Sequence, residues 1–445
     1  MQLSRGRIAT ALGLLTAELF VATGARAQEA KPEPAAISTA APSALNDETE
    51  SDLGKVRVDA AVLFYKEADG RVQAIEPMLG VTYSQLSGGV LSLRLISDTL
   101  TGATPIGAVP QRTPQIFQRG DSLTGASVPV TTRARALPLD PSFKDQRYAV
   151  DVGYSFLANT ETRLSLGGGY SHERDFTSYS GRLGIARDFN DKNTTASLSL
   201  NLEHDLSRPL QGTPRALTPI GDPIRNGPDE TKTIVGAVAG LTQVMSRSWL
   251  VQLNYSYGST QGYQNDPYRL ISVVDGRTGG QPQYLYEGRP RSRIRQSIYL
   301  GSKAAIGFNV LDVSARGYKD SWGVSSITLQ AADRIALGSR FYAEPAIRFY
   351  RQWKADFFQY YLIRRTALPS YASADIRLGR FDAATLGLKL GLKFGRSNEF
   401  YVRGEFYKQY GDWRPAGAPG DLANQVLFPG VRATSIMAGY SFVFD

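Results

Sequence analysis

The sequence predicts an all-β fold: a transmembrane antiparallel up-and-down β-barrel of about sixteen strands, with fourteen or eighteen as alternatives, short periplasmic turns and long extracellular loops. Three observations carry this reading. From Lys55 to Asp445, segments of alternating polar and apolar residues recur; the connections between them are alternately short and long; and an export signal stands at the N-terminus. In the last segment Thr434, Ile436, Ala438, Tyr440, Phe442 and Phe444 share one face, while Ser435, Gly439 and Ser441 share the other with Met437 and Val443. Leu386, Leu388, Leu390, Leu392 and Phe394 likewise oppose Thr385, Gly387, Lys389, Gly391 and Lys393. Lysines opposite leucines fit a wall whose leucines alone touch hydrocarbon. A soluble sandwich alternates as well, so parity by itself does not separate the two.

The N-terminus supplies the distinction. Arg5 and Arg7 form a basic start, Ile8 to Leu15 an apolar stretch, and Ala25-Arg26-Ala27 a small-residue cleavage site, which together predict a signal peptide over 1–27. Glu18 interrupts the apolar core, and Leu19, Phe20 and Val21 resume it. Residues 28–54 are rich in Ala, Pro and Ser and strongly acidic, so they predict a flexible periplasmic linker. No later window reaches the roughly 18 consecutive apolar residues of a membrane helix. The absence of cysteine excludes a thioether lipid anchor, disulfides, Cys-ligated metals and c-type haem, and two histidines leave little room for metal chemistry, so no cofactor or metal is expected. Residues 1–54 hold four of the 50 basic and seven of the 41 acidic residues, leaving the barrel over 55–445 a formal +12. That charge belongs on loops or in the lumen, because a Lys or Arg facing lipid at the midplane costs about 2–4 kcal/mol.

In chain order, strands are predicted near 55–66, 72–85, 89–99, 144–158, 161–174, 177–189, 194–206, 231–245, 248–260, 292–306, 309–320, 323–337, 340–353, 380–394, 399–413 and 431–445. Each matches or exceeds the roughly 9–11 residues needed for a tilted crossing. Every second connection is short and hairpin-like, as at Leu86-Ser87-Gly88, Ala158-Asn159-Thr160 and Gly338-Ser339. The long ones, 100–143, 207–230, 261–291, 354–379 and 414–430, all fall at the other end, where three short external connections also lie, near Asp69-Gly70, Asp175-Phe176 and Ser321-Trp322.

The stretch Val58 to Pro77, the run Ser97 to Pro105, and Leu137 to Asp145 resemble a proteobacterial outer-membrane family defined only as a domain of unknown function. The resemblance covers most of 55–445, implies an exported outer-membrane protein and carries over no catalytic or binding residue. Asp445, after the aromatic Phe444 on which such chains usually end, departs from the assembly signal expected for the barrel-assembly machinery.

A closed sheet of this size leaves an aqueous lumen unless plugged, so the expected function is a porin-like channel passing small polar or anionic solutes. Parity turns Arg293, Arg295, Lys303, Arg316, Arg334, Arg348, Lys389, Lys393 and Arg403 inward, against Asp312, Glu344 and Glu405. The first seven strands turn Asp59, Glu76, Asp98, Asp151, Asp188, Glu203 and Asp205 inward, against Arg57, Arg94, Arg147, Arg163 and Arg182. One wall is basic and the other mixed to acidic, a transverse field that favours anions. Alternatively these charges pair across strands, as Asp312 with Arg295 or Glu344 with Arg334, inside a packed lumen. The loop Leu100 to Phe143, with Arg112, Arg119, Arg133 and Arg135 beside Asp121 and Asp140, either folds inward as a constriction or lies exposed.

His172 and His204 fall on the lipid-facing parity near the external rim, with Thr177 and Tyr179 between them. A rim-located lipid hydrolase would need a serine beside them, yet Ser171 and Ser178 face the other way; interfacial anchoring is the plainer reading, and no enzyme is expected. Asp98-Thr99-Leu100-Thr101-Gly102 reads as a turn leaving the third strand, and Gly167-Gly168-Gly169 as a close approach or a kink within the fifth. Expected partners are outer-membrane lipid and lipopolysaccharide, with no nucleic acid. A further alternative makes the barrel a sheath or docking partner for a periplasmic protein, such as a redox carrier, tethered through the acidic linker.

Overall fold

A computed structural model describes residues 53–120, 127–209, 212–220, 229–280, 282–395, 397–412 and 414–444. The predicted signal peptide, the linker up to residue 52, Asp121 and Asp445 lie outside the described residues.

In chain order the strands are β1 (Val56–Glu67), β2 (Gln73–Ser84), β3 (Val90–Pro105), β4 (Gln115–Gly120), β5 (Ser127–Thr132), β6 (Leu139–Leu157), β7 (Thr162–His172), β8 (Phe176–Phe189), β9 (Thr194–Ser207), β10 (Glu230–Ser246) and β11 (Trp249–Gly262). There follow β12 (Leu270–Val274), β13 (Gln283–Tyr286), β14 (Ser292–Ile306), β15 (Asn309–Asp320), β16 (Ser325–Leu337), β17 (Phe341–Trp353), β18 (Leu362–Ile363), β19 (Phe381–Phe394), β20 (Asn398–Gly411) and β21 (Arg432–Phe444). Sixteen of them close an antiparallel barrel in the order β1-β2-β3-β6-β7-β8-β9-β10-β11-β14-β15-β16-β17-β19-β20-β21, and β21 returns to β1 in register from Val56↔Phe444 to Glu67↔Ala433. Closure leaves no open edge, the condition for a sheet to exist in hydrocarbon.

The period-2 pattern of each strand explains its two faces. In β19, Leu386, Leu388 and Leu390 point outward and are about half exposed, at 57%, 46% and 51%, while Lys389 between them is 8% exposed on the inward face. The same belt continues through Leu198, Leu200 and Leu202 of β9 and Leu253 of β11, matched in register to Leu183 of β8 and Leu300 of β14. Moving one such side chain from water to hydrocarbon contributes about 1.5–3 kcal/mol, so a continuous belt of them commits the barrel to lipid. Outward aromatics mark both rims: Trp249, Phe341, Phe189 and Phe444 at the short-turn end, Tyr148, Tyr170, Tyr179 and Trp353 at the other.

By the length rule the short turns are periplasmic and the other connections external. We call the external connections L1 (68–72), L2 (106–138), L3 (173–175), L4 (208–229), L5 (263–291), L6 (321–324), L7 (354–380) and L8 (412–431).

One sequence expectation is overturned here. Asp98 to Gly102 is not a turn: β3 continues to Pro105 and pairs with β6, which begins at Leu139. Polar and glycine-rich composition mimics a turn, yet Asp98 is held inward by Arg147 at 2.5 Å and Leu100 packs against Val72 and Ala74. Gly102, at φ 127°, supplies the bulge before Thr104, and a Cβ there would fall 2.4 Å from the Arg71 carbonyl oxygen.

The long external loops are folded. L2 carries the β4–β5 hairpin; β12 and β13 of L5 pair with β18 of L7 in a three-stranded sheet. Ile271, Val273 and Leu285 of L5 bury against Leu362, Ala372 and Ala374 of L7. Val109 of L2 and Val274 of L5 meet Leu422 and Leu427 of L8. These loops lean over the external mouth, because Phe428 and Val431 of L8 lie against the inward-facing Phe381, Ala383 and Tyr407. The result is a cap with its own apolar core.

Candidate functional site

Inside the barrel, the register puts all the basic residues singled out above on the inward parity: Arg293, Arg295 and Lys303 on β14, Arg316 on β15, Arg334 on β16, Arg348 on β17, Lys389 and Lys393 on β19, and Arg403 on β20. Asp59, Glu76, Asp98, Asp151, Asp188 and Glu203 take the same parity on β1, β2, β3, β6, β8 and β9.

Most of these charges have partners. Arg293 bridges Asp320 at 2.5 Å and lies 4.3 Å from the Trp322 ring; Arg295 donates to Thr260 at 2.9 Å; Arg348 donates to Gln330 at 2.8 Å. Arg403 contacts Glu405, Asp151 contacts Arg182 at 3.2 Å, and Asp188 accepts from Thr195 at 2.6 Å. Two anticipated pairings are corrected. Asp312 binds Lys303 at 3.1 Å rather than Arg295, since Lys303 is its direct cross-strand partner; Arg334 binds Glu399 at 3.4 Å rather than Glu344. The Arg182–Asp151 bridge passes over the glycine run of β7, where a Cβ on Gly169 would fall 2.7 Å from Asp151, so the run is a close approach.

The structure gathers one cluster towards the periplasmic end of β16, β17, β19 and β20. Glu399 accepts from the Tyr342 hydroxyl at 2.5 Å and lies 3.4 Å from both Arg334 and Lys389. The Arg334 guanidinium sits 3.7 Å from the Tyr342 ring centre, and the Lys389 ammonium 4.3 Å from that of Tyr401. Each tyrosine lies on a neighbouring glycine: a Cβ on Gly391 would fall 2.1 Å from Tyr342, and one on Gly439 2.4 Å from Tyr401. Lys393 stands opposite Glu399 in register and is exposed; Lys303 is half exposed at 51%. Chemically this is a group of cations, Arg334, Lys389 and Lys393, set around Glu399 between fixed aromatic faces.

Sequence reasoning missed Glu399, Tyr342, Tyr401 and Asp320. Parity applied to tyrosines and to the strand-end acids would have placed them inward, but their partners follow only from the register.

Above the wall, the cap is clamped by buried charge. Arg289 of L5 holds Glu287 at 2.7 Å and Asp375 of L7 at 2.9 Å, and Ser373 donates to Glu287 at 2.5 Å. Burial pushes the Glu287 carboxyl up despite Arg289. Burial also raises Asp375, but Arg377, Arg269 and Arg289 together hold it well below the usual carboxylate range. In L3, burial and then the neighbouring Asp145 push Glu173 up to about 8.

The rim histidines face outward as expected. The His172 Nδ1 is 3.0 Å from the Thr177 hydroxyl and that of His204 3.1 Å from Thr233, and the His172 ring stacks on Tyr170. L2 is neither simply inward nor simply exposed: Ala108, Val109 and Phe117 are buried in the cap, while Arg112, Arg133 and Arg135 remain exposed. Asp140 is buried at the start of β6, and Arg119 lies on β4.

A family model described as "Protein of unknown function (DUF3570)" matches residues 32–442. The chain belongs to this family. No curated protein matches the chain. Among solved structures, a bacterial polysaccharide outer membrane secretin is similar at 10% identity, covering 87% of this chain and 99% of its own, with a TM-score of 0.42. The CymD monoaromatic hydrocarbon channel is similar at 8% identity over 88% of this chain and 89% of its own, with a TM-score of 0.37. The siderophore receptor PirA from Acinetobacter baumannii is similar at 10% identity over 80% of this chain and 53% of its own, with a TM-score of 0.38.

Proposed function

We propose that this family member is a porin-like outer-membrane channel that passes small polar or anionic solutes through its sixteen-strand lumen. The observation that carries the reading is the wall running from β14 to β20: nine inward Lys and Arg side chains face five inward carboxylates, Asp312, Asp320, Glu344, Glu399 and Glu405. Lys303 and Lys393 keep their ammonium groups wet inside a cylinder whose outer face is apolar. An excess of fixed cations along the wall lowers the energy of an anion there. The cap supports a sieving role, since its folded loops pack over the outer mouth. Location in the outer membrane follows from the lipid-facing belt and rests also on the predicted export signal.

The test is single-channel recording in a planar bilayer with a salt gradient. An anion-favouring reversal potential is expected, moving towards cations in Arg334→Gln combined with Lys393→Gln. Absence of conductance at every voltage, or a cation preference in the parent protein, overturns the proposal.

A further inference from the structure

We propose that the outer tip of the cap is a docking surface for an acidic polysaccharide. This inference is independent of what crosses the lumen. Six exposed arginines lie on three of its loops: Arg112, Arg133 and Arg135 of L2, Arg277 of L5, and Arg364 and Arg365 of L7. Contacts draw these loop segments together. Arg112 bridges Asp421 of L8 at 2.8 Å, and Arg135 acts on the same carboxylate. The Asp421 amide donates to the Thr278 carbonyl, next to Arg277, at 3.1 Å, and the Arg364 amide donates to the Val274 carbonyl at 2.8 Å. Among the described residues, two carboxylates lie within this group, Asp421 and Asp275. The second is satisfied by its own turn, accepting from the amides of Arg277 at 3.0 Å and Thr278 at 2.8 Å. On these segments the arginines outnumber the described carboxylates.

The backbone gives a second, separate indication. Arg135 has φ 61° and Arg365 φ 66°, both in the left-handed region where glycine is at ease and an arginine is not. Neither side chain is buried, so packing does not account for the residue type. What the arginines add at these turns is a solvent-facing fork of donors that matches a carboxylate.

The shape of the patch selects the partner. It is open and spread across loops, so each contact is individually weak and only a ligand repeating its charges gains from all six. Arg277 and Arg365 lie near the middle of L5 and L7, far along the loop from the nearest barrel strand and so from the lipid plane. An extended acidic glycan outside the cell fits; a lipid headgroup surface does not.

The experiment uses the purified full chain in detergent micelles, with polygalacturonate as probe, neutral dextran as control and anionic phospholipid vesicles as competitor. Polygalacturonate is expected to bind, more weakly as salt rises, and Arg135→Gly combined with Arg365→Gly to weaken it by about tenfold or more. Glycine suits both turns, so this variant keeps the heat-modifiable gel mobility of the folded barrel; Arg277→Glu provides an independent loss. Failure to bind polygalacturonate, equal binding of dextran, unchanged affinity in the glycine variant, or effective competition by the vesicles each overturns the proposal.

Discussion

At position 391 one added methyl group decides whether Tyr342 keeps its place, because the ring occupies the space a Cβ would take. Gly391→Ala is expected to destabilise the barrel by about 1–3 kcal/mol, read as a lower unfolding midpoint in urea, and to free Glu399 from the tyrosine hydroxyl. Glu173 makes a second residue-scale prediction. Its carboxyl titrates at about 8 in the folded protein. Because this lies above the unfolded value of about 4.3, its contribution to stability is complete below that value and is lost as pH rises through the folded one. Glu173→Gln, which keeps the neutral form, should therefore give amide protection in L3, taken relative to the intrinsic exchange rate, that barely changes between about pH 5 and 8, where the parent loses protection as pH rises. The inward positions of Arg334 and Lys389 were legible from parity, and the same rule applied to Tyr342 and Glu399 would have placed them inward. Their partners were not: Arg334 reaches Glu399 across two intervening strands, a contact set by the curvature of the closed sheet rather than by any local spacing.

At the scale of elements, the barrel strands were legible because each alternates on its own, and the structure moves most predicted ends by no more than two residues. The exceptions, β3 and β6, extend beyond the membrane-spanning pattern into a polar, glycine-containing pair that only mutual hydrogen bonding reveals as strand. The folded cap was not legible, because its core joins Ala108 and Phe117 to Leu270, residues with no shared periodicity. Its clamp is testable. Arg289→Met leaves Glu287 and Asp375 buried without their shared cation, a loss expected to cost about 3–5 kcal/mol locally. Limited proteolysis should then cut within L5 and L7 while the barrel strands stay protected. Acid acts on the same clamp with opposite signs: Asp375, depressed, supports the cap above its unfolded value and loses that support as pH falls; Glu287, raised, favours the folded cap at low pH and opposes it as pH rises.

For the whole molecule, the deciding asymmetry is between an outer belt of Leu, Val and Phe and an inner wall of Arg, Lys, Asp and Glu. The purified barrel should require detergent to remain monodisperse; sedimentation as a water-soluble monomer without it would contradict the fold's placement in lipid. The strand number, the closure and the side of the long loops were all readable from sequence, since lipid imposes the same alternation on every crossing. The degree to which the mouth is covered was not, because loops obey no such rule.

The pairing of Val56 with Phe444 has a topological consequence. The first and last barrel strands are neighbours, so the cylinder has no intrinsic first stave. A chain opened within L4 and spliced from residue 444 to 56 by a short hairpin linker would keep every rung between staves, and it should refold in detergent to the parental conductance.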